Sequence, residues 1–194
     1  MLLQWSAPEY VPRSFLVSGV SGTNKAVKQT DTTFRLTKQV ADGLVDMQEV
    51  SKGLFLVQSE MAFKKETELC EEYPERKVFQ LSFCMNGICE WDYRQKRGEH
   101  YQLSPTQCSL QCGTFSQCVS RFGSEEPYRT LSISLEQERF LPLAEDLEAA
   151  HLIRRDNKIC THIFSTTPEI RLVLQQLLDC PPERKLRKLY LEGK

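Results

Sequence analysis

Short apolar segments separated by turn signals dominate the sequence between residues 43 and 135. In residues 78–85, the clearest segment, apolar and polar side chains alternate with the period of two that a β-strand requires. The same reading predicts strands over residues 53–60, 88–93, 100–103, 108–112, 117–122 and 128–135. Strands at this regular spacing predict a sandwich or a barrel.

The pattern changes after residue 135, where helix formers replace the alternating segments. Thr166 and Glu169 have the spacing of a capping box, and Pro168 fits the first turn of a helix. An apolar stripe follows at helical spacing, formed by Ile170, Val173, Leu174, Leu177 and Leu178. Two prolines at 181–182 end this helix, and a second amphipathic segment follows. Strands followed by a C-terminal helical hairpin predict an α+β fold.

Composition, charge and the absence of known motifs argue against several classes of function. The 194 residues suffice for one domain, and a formal net charge of -1 gives no basic field for nucleic acid. The sequence contains no run of about 18 apolar residues that could span a membrane, and its first residues do not resemble a secretory signal. We therefore expect a cytoplasmic protein with no membrane contact. It also lacks a nucleophile elbow, a phosphate loop and a zinc-protease motif, so we expect no enzymatic activity.

Three C-terminal segments carry a family resemblance: Thr167-Pro168-Glu169-Ile170, Leu177-Leu178-Asp179-Cys180-Pro181, and residues 187–194. They resemble the segment that joins the sensor to the DNA-binding domain in AraC-type transcription regulators, in the subgroup typified by the pyochelin and yersiniabactin regulators. The resemblance is specific there, diffuse over residues 44–165, and absent from residues 1–40. It implies a cupin-like jelly roll, followed by helices that form a homodimer. It also implies that DNA is contacted only through a helix-turn-helix domain absent from this chain.

Pattern and resemblance together divide the chain into three parts. Residues 1–42 are expected to be an N-terminal arm or extra edge strands. Residues 43–135 are expected to form the cupin-like β sensor domain. Residues 136–194 are expected to form the helical dimerisation and linker region.

One pair of cysteines flanks the strongest hairpin signal, Asn86-Gly87. If these two residues form the loop, Cys84 and Cys89 are directly opposed, with Cβ atoms about 4.5–5.5 Å apart. That separation is slightly wide for a disulfide. The alternative is that two small side chains pack side by side.

Cys108, Cys112 and Cys118 form a second group among the eight cysteines. On a strand, Cys108 and Cys112 would share a face at about 13 Å, so only a bend at Gly113 could bring Cys112 to Cys118. The spacing lacks the patterns of zinc ribbons and ferredoxins. These cysteines therefore have three possible roles: redox or metal chemistry, packing, or lining a pocket as thiols. The sequence does not identify the metal.

The three histidines make no HxH or HxxxH pattern, which argues against a cupin metal site. We expect His151 and His162 on a helix surface. A jelly-roll interior can instead hold a small molecule, and ordinary core packing is the alternative for every residue assigned to it. The candidate lining residues are Phe83, Trp91, Tyr93, Cys112, Phe115 and Arg129.

Two functional hypotheses follow. The resemblance implies a sensor domain whose small-molecule effector is an iron chelate, either a ferric siderophore or haem. The alternative is a sensor in which the cysteines respond to oxidants or bind iron or an iron–sulfur cluster.

Overall fold

The computed structural model describes residues 2–4, 14–17, 28–30, 33–35, 38, 40–72, 77–94, 98–153, 158–179 and 190. Its strands are β1 Leu2–Gln4, β2 Ser14–Val17, β3 Lys28–Thr30, β4 Thr33–Arg35, β5 Ala41–Ser51, β6 Leu54–Phe63, β7 Thr67–Glu72, β8 Lys77–Asn86, β9 Cys89–Tyr93, β10 His100–Leu103, β11 Gln107–Thr114, β12 Gln117–Phe122, β13 Tyr128–Leu135 and β14 Cys160–Ser165. The helices are α1 Gln137–Ala149 and α2 Pro168–Leu178.

The strands form two antiparallel sheets. The smaller sheet has the order β1-β2-β7-β12-β9-β10, and the larger sheet has the order β14-β11-β8-β13-β6-β5-β4-β3. From β7 to β13 the chain crosses repeatedly between the sheets, as in a jelly roll. This arrangement confirms the predicted fold class, a cupin-like β-sandwich followed by helices. The division into three parts stays a prediction.

The predicted hairpin at Asn86-Gly87 is wrong. Strand β8 pairs with β11 and β13, whereas β9 pairs with β10 and β12, so these two residues form a corner between the sheets. A two-residue hairpin of the predicted type needs positive φ at both loop residues, and only Gly87 has it, at 73°. The side-chain amide of Asn86 instead donates a 2.7 Å hydrogen bond to the carbonyl of Pro127, which fixes the corner against the start of β13.

Two apolar clusters lie on opposite faces of the larger sheet. The interior cluster fills the space between the sheets and comprises Val40, Ala41, Met61, Phe63, Leu69, Cys84, Cys89, Trp91, Tyr93, Leu103, Phe115, Cys118, Phe122 and Ile159. The outer cluster lies under α2 and comprises Val50, Leu56, Phe83, Cys108, Leu131, Leu174 and Leu177. The apolar face predicted for β8 therefore packs against a helix, and its polar face looks into the sandwich.

Strand β14 lies between the two helices, where the sequence reading expected only helix. It pairs with the edge strand β11 over six residue pairs, so His162 lies on a strand and not on a helix surface. The chain then enters α2, whose N-cap is Thr167 and not Thr166: the Thr167 hydroxyl accepts a 3.4 Å hydrogen bond from the Ile170 amide. No helix in the described residues is long and apolar enough to cross a membrane.

Candidate functional site

One end of the interior is lined by polar side chains of the larger sheet. Ser132 donates a 2.9 Å hydrogen bond to Ser82, and the Gln80 amide donates another of 2.9 Å to the same hydroxyl. On the neighbouring strand, the Gln111 amide donates to Ser109 at 3.3 Å. Strand alternation places these residues on the inward face. A buried polar surface of this size, facing the opposite sheet, is unusual for a core that serves only for packing.

Aromatic side chains of the smaller sheet face this polar surface. The rings of Trp91 and Tyr101 stack at 5.5 Å between centroids with an interplanar angle of 21°. Tyr93 meets Tyr101 edge-on at 5.9 Å and Phe115 at 4.9 Å. Trp91 and Tyr93 are only 4% and 1% exposed. The smaller sheet therefore supplies a rigid aromatic wall.

The two walls meet at the hydroxyl of Tyr93, which donates a 3.0 Å hydrogen bond to the side-chain oxygen of Gln111. Burial raises the pKa of Tyr93 well above its ordinary value, a nearby Cys118 adds to the shift, and the neighbouring Thr161 and Trp91 offset part of it. The tyrosine is thus a neutral donor throughout the physiological range.

Two buried polar atoms beside this tyrosine have no hydrogen-bond partner among the described residues: Trp91 Nε1 and Thr161 Oγ1. Both lie close enough to the Tyr93 hydroxyl to lower its pKa as weak hydrogen-bonding groups, yet neither contact has regular hydrogen-bond geometry. A buried donor or acceptor without a partner costs about 1–3 kcal/mol. Such groups are usually satisfied by an ordered water or by a bound molecule. We call Trp91, Tyr93, Tyr101, Gln111 and Thr161 the aromatic–polar cluster.

The interior is not sealed around the cluster. Gln80 and Gln111 are only half-buried although they project from the inward face, and so are Val57 and Ser59 on β6. The Tyr101 hydroxyl donates to the exposed carboxylate of Glu99, so the aromatic wall runs from the deep interior to the surface. Partial exposure of these inward-facing side chains shows that the interior opens to solvent at this end.

The opposite end of the interior is apolar. Phe63 and Phe122 stack at 4.6 Å, and Phe122 meets Tyr128 edge-on at 4.9 Å. Cys84 and Cys89 lie in this region, where Cys84 donates to the Gly87 carbonyl at 3.2 Å and burial raises the pKa of its thiol to about 11. A thiol of that pKa is a weak nucleophile.

The sequence profile of the family described as "Regulatory protein PchR N-terminal domain" matches residues 42–194. The chain belongs to this family. The match confirms the resemblance to AraC-type sensor domains. It covers both sheets except their N-terminal strands, and it covers α1 and α2.

Solved structures similar to this PchR-type domain share little sequence with it. The AraC-like transcriptional activator CuxR is 10% identical, with a TM-score of 0.45 over 79% of this chain and 49% of that one. ToxT from Vibrio cholerae is 11% identical, with a TM-score of 0.46 over 73% and 54%. The pirin YhhW from Escherichia coli, solved with nickel(II), is 8% identical, with a TM-score of 0.41 over 73% and 55%. The chain spans about half the length of these structures. A search of curated proteins found no match.

Three of the predicted lining residues lie together in the PchR-type domain, and three lie elsewhere. Trp91, Tyr93 and Phe115 belong to the interior cluster. Phe83 belongs to the outer cluster under α2, because the apolar face of β8 packs on the helix. Cys112 lies on that same outward face of the larger sheet, and so does Arg129, whose guanidinium pairs with Glu60 at 3.2 Å.

Cys84 and Cys89 share the interior cluster but are not opposed on paired strands, and the second predicted group, Cys108, Cys112 and Cys118, is separated. Cys108 and Cys112 share the outward face of the larger sheet, as predicted, but Cys118 is on the smaller sheet and faces the interior. Gly113 lies within β11 and makes no bend toward Cys118. The seven described cysteines are thiols; Cys180 lies outside the described residues. No group of three or more potential metal ligands occurs in the described part of the chain.

Sequence reasoning missed Tyr101, Gln111 and Thr161. A usable signal existed for Gln111, because polar residues recur at every second position of neighbouring strands: 80 and 82, 109 and 111, and 130, 132 and 134. Polar residues in phase on adjacent strands indicate a polar inner face. Thr161 offered no such signal, since β14 itself was not predicted.

The outer face of the smaller sheet carries a separate set of charges. Arg121 pairs with Asp92 and with Glu68, the latter at 3.2 Å, and His100 contacts Asp92 at 2.9 Å. A surface cleft of about 540 Å³ opens beside Arg121, and its lining combines Glu66, Glu68, Glu90 and Arg121 with uncharged residues such as Ile88 and Phe122. Exposed ion networks of this kind are common on solvated sheet faces, and we assign no ligand to this cleft.

Proposed function

We propose that this PchR-type domain binds a small-molecule effector between its two sheets, at the aromatic–polar cluster. The observation that carries the proposal is a pair of buried atoms, Trp91 Nε1 and Thr161 Oγ1, that make no regular hydrogen bond to any described residue. An indole N–H can only donate, so its partner must be an acceptor, while the threonine hydroxyl can donate or accept. An effector with oxygen atoms at this point would satisfy both groups.

The shape of the cluster favours an aromatic effector. Trp91 and Tyr101 present flat, stacked rings that are buried at one end and reach the surface at the other. Flat rings of this kind stack on other planar groups, and each good aromatic contact contributes about 0.5–1.5 kcal/mol beyond the area it buries. Together with the family membership, this supports an iron chelate with aromatic groups, either a ferric siderophore or haem.

The position of Thr161 supports a route for the signal. Thr161 lies on β14, and the same strand leads directly into α2. At the junction, both the amide and the hydroxyl of Thr166 donate to the Thr106 carbonyl at 2.8 Å. An effector that contacts Thr161 in only one arrangement of β14 would shift the population of α2 positions. In the whole regulator, which we propose to be a homodimer, this shift would reach a DNA-binding part outside residues 1–194.

Fluorescence tests the proposal, because the sequence has only two tryptophans. In a Trp5→Phe variant, Trp91 is the only indole, and we expect a saturable change in its emission on titration with an aryl ferric siderophore or with haem. A sugar of similar size should cause none. The matched Trp91→Phe variant retains Trp5 and should lose the response. Flat titrations of the Trp5→Phe variant with every chelate would contradict the proposal.

The second hypothesis, a cysteine-bound iron or iron–sulfur sensor, needs several ligands together. The cysteines proposed for it lie on different sheets and faces. Metal analysis and an absorption spectrum of anaerobically purified protein test it directly. Stoichiometric iron with thiolate charge-transfer bands would favour this reading over the effector proposal.

A further inference from the structure

Two cysteines distant in sequence face each other across the edge of the larger sheet. Cys112 on β11 is directly opposite Cys160 on β14. Directly opposed residues of an antiparallel pair project to the same face, with Cα atoms about 4.5–5.5 Å apart. This separation lies inside the range of about 4.4–6.8 Å found in disulfides.

The backbones of β11 and of residues 158–159 approach each other closely next to Cys112. A Cβ atom at Gly113, next to Cys112, would lie 2.5 Å from the carbonyl oxygen of Lys158 and 2.6 Å from Cα of Ile159. Only glycine permits such an approach. Ile159 is 2% exposed and anchors the segment in the interior. The opposition of the two cysteines is therefore fixed by the close backbone approach and by the buried Ile159 next to them.

A base lies beside one of the two thiols. Cys160 Sγ is 3.2 Å from Nε2 of His162, which projects from the same face of β14. An imidazole at this distance can accept the thiol proton and generate the nucleophilic thiolate. Cys160 is half-buried, so a small oxidant reaches it, whereas Cys112 is only 5% exposed. The geometry thus combines a reactive thiol, its base and a resolving thiol.

We propose that Cys112 and Cys160 form a redox pair that a peroxide oxidises to a cross-strand disulfide. His162 takes the proton of Cys160, and the thiolate attacks one peroxide oxygen. The O–O bond breaks, and the leaving hydroxide takes the proton from His162 to give water. The resulting sulfenic acid is attacked by the Cys112 sulfur, which forms the S–S bond and releases a second water. Two thiols and one hydrogen peroxide thus give one disulfide and two waters.

The disulfide would act on the strand proposed to transmit the effector signal. It would tie β14 covalently to β11 before the chain enters α2. The pair lies on the outward face, and the aromatic–polar cluster faces the interior. Oxidation is thus a second input that does not depend on the effector proposal.

Peptide mapping of the peroxide-treated full chain tests the pair. We expect a cross-linked peptide containing Cys112 and Cys160, with the mass of two hydrogens lost and restored by a thiol reductant. C112S and C160S should each abolish it, and C70S, which removes another half-buried thiol, should leave it intact. H162Q should slow formation by at least about tenfold near neutral pH, and the rate should then follow the thiol ionisation alone.

Three results would overturn the proposal. The first is that peroxide joins other cysteines in the wild type. The second is that it converts Cys160 only to sulfenic or sulfinic acid. The third is that C112S and the wild type give the same products. Because the wild-type map needs no variant, misfolding of a serine variant does not obscure the answer. A fluorescence response to chelates that persists in C112S separates this proposal from the effector site.

Discussion

The Tyr93 hydroxyl and the Gln111 side chain join the two sheets through a 3.0 Å hydrogen bond across the interior. Tyr93 is 1% exposed, so this bond lies in the buried interior. A Tyr93→Phe variant should therefore lose about 1 kcal/mol of unfolding free energy, as urea denaturation would measure. Tyr101→Phe removes a hydroxyl whose partner, Glu99, is exposed. We expect that loss to stay below about 0.5 kcal/mol, and equal losses would contradict the cross-sheet bond.

Removal of the Thr161 hydroxyl should raise the stability of the ligand-free protein and lower its affinity for the effector. This hydroxyl is buried without a partner among the described residues. Thr161→Val keeps the shape and removes that hydroxyl, so the ligand-free protein should gain up to about 1 kcal/mol, while the effector should bind more weakly. In contrast, Ser132→Ala breaks a 2.9 Å hydrogen bond and should lose about 1 kcal/mol. A loss of stability in Thr161→Val would show that its hydroxyl has a partner.

Gly113 should tolerate no side chain. Its φ is 130°, and a Cβ atom would lie 2.5 Å from a backbone oxygen. Gly113→Ala should therefore lose about 2–3 kcal/mol in thermal or urea unfolding. Gly123 provides the control, because it lacks both the positive φ and any neighbouring atom within 4 Å. Gly123→Ala should stay within about 0.5 kcal/mol of the wild type, and similar behaviour of the two variants would be inconsistent with the close approach of residues 158–159.

Strands β9 to β13 were predictable from sequence because each combines alternating polarity with clear turn residues. Their partners were not predictable. The Asn86-Gly87 pair indicates a local hairpin, yet the chain uses it as a corner, because the apolar side of β8 is covered by α2 and its polar side by the smaller sheet. A pattern of period two identifies two faces but does not say which one looks inward.

The candidate site was predictable only in its aromatic half. Trp91, Tyr93 and Phe115 could be selected as large rings on or beside the predicted strands. Thr161 depends on the long-range pairing of β14 with β11, which leaves no local signal in sequence. Gln111 could have been found only from the polar residues that lie in phase on neighbouring strands. The same pairing places Cys160 opposite Cys112, although Cys160 has no neighbouring cysteine in the chain.

The charges on the smaller sheet predict an acid-sensitive contribution to stability. Burial alone would raise the pKa of Asp92, but hydrogen bonds from Arg121 and His100 outweigh it and lower the pKa below its ordinary value of 3.8. The stabilisation is therefore full above about pH 4 and is lost as the pH falls through the lowered pKa. Asp92→Asn should be less stable than the wild type at neutral pH, and the difference should vanish in acid.

Urea unfolding at several pH values measures this difference. Glu145→Gln, which changes an exposed carboxylate on α1, should match the wild type across the range. A gap between Asp92→Asn and the wild type that stays constant down to about pH 2 would show that the charge of Asp92 contributes nothing.

The packing of helix α2 against the larger sheet should depend on its two buried leucines. Leu174 is 3% exposed and packs in the outer cluster, whereas Leu172 on the same helix is 62% exposed. Leu174→Ala should lose about 2–4 kcal/mol, because it removes buried methyl groups and leaves a cavity. Leu172→Ala should remain within about 0.5 kcal/mol in the same unfolding experiment. Comparable losses would mean that the helix packs through another face.

The surface on which α2 rests is assembled from five strands drawn from residues 41–135, namely β5, β6, β8, β11 and β13. No shorter piece of the polypeptide offers that surface, so the helix can dock only after the sheet is complete. During synthesis, α2 is thus among the last elements to find its place. A variant that disrupts any of these strands would leave Leu174 and Leu177 of α2 exposed to chaperones and proteases. A defective sensor would then be degraded before it could signal.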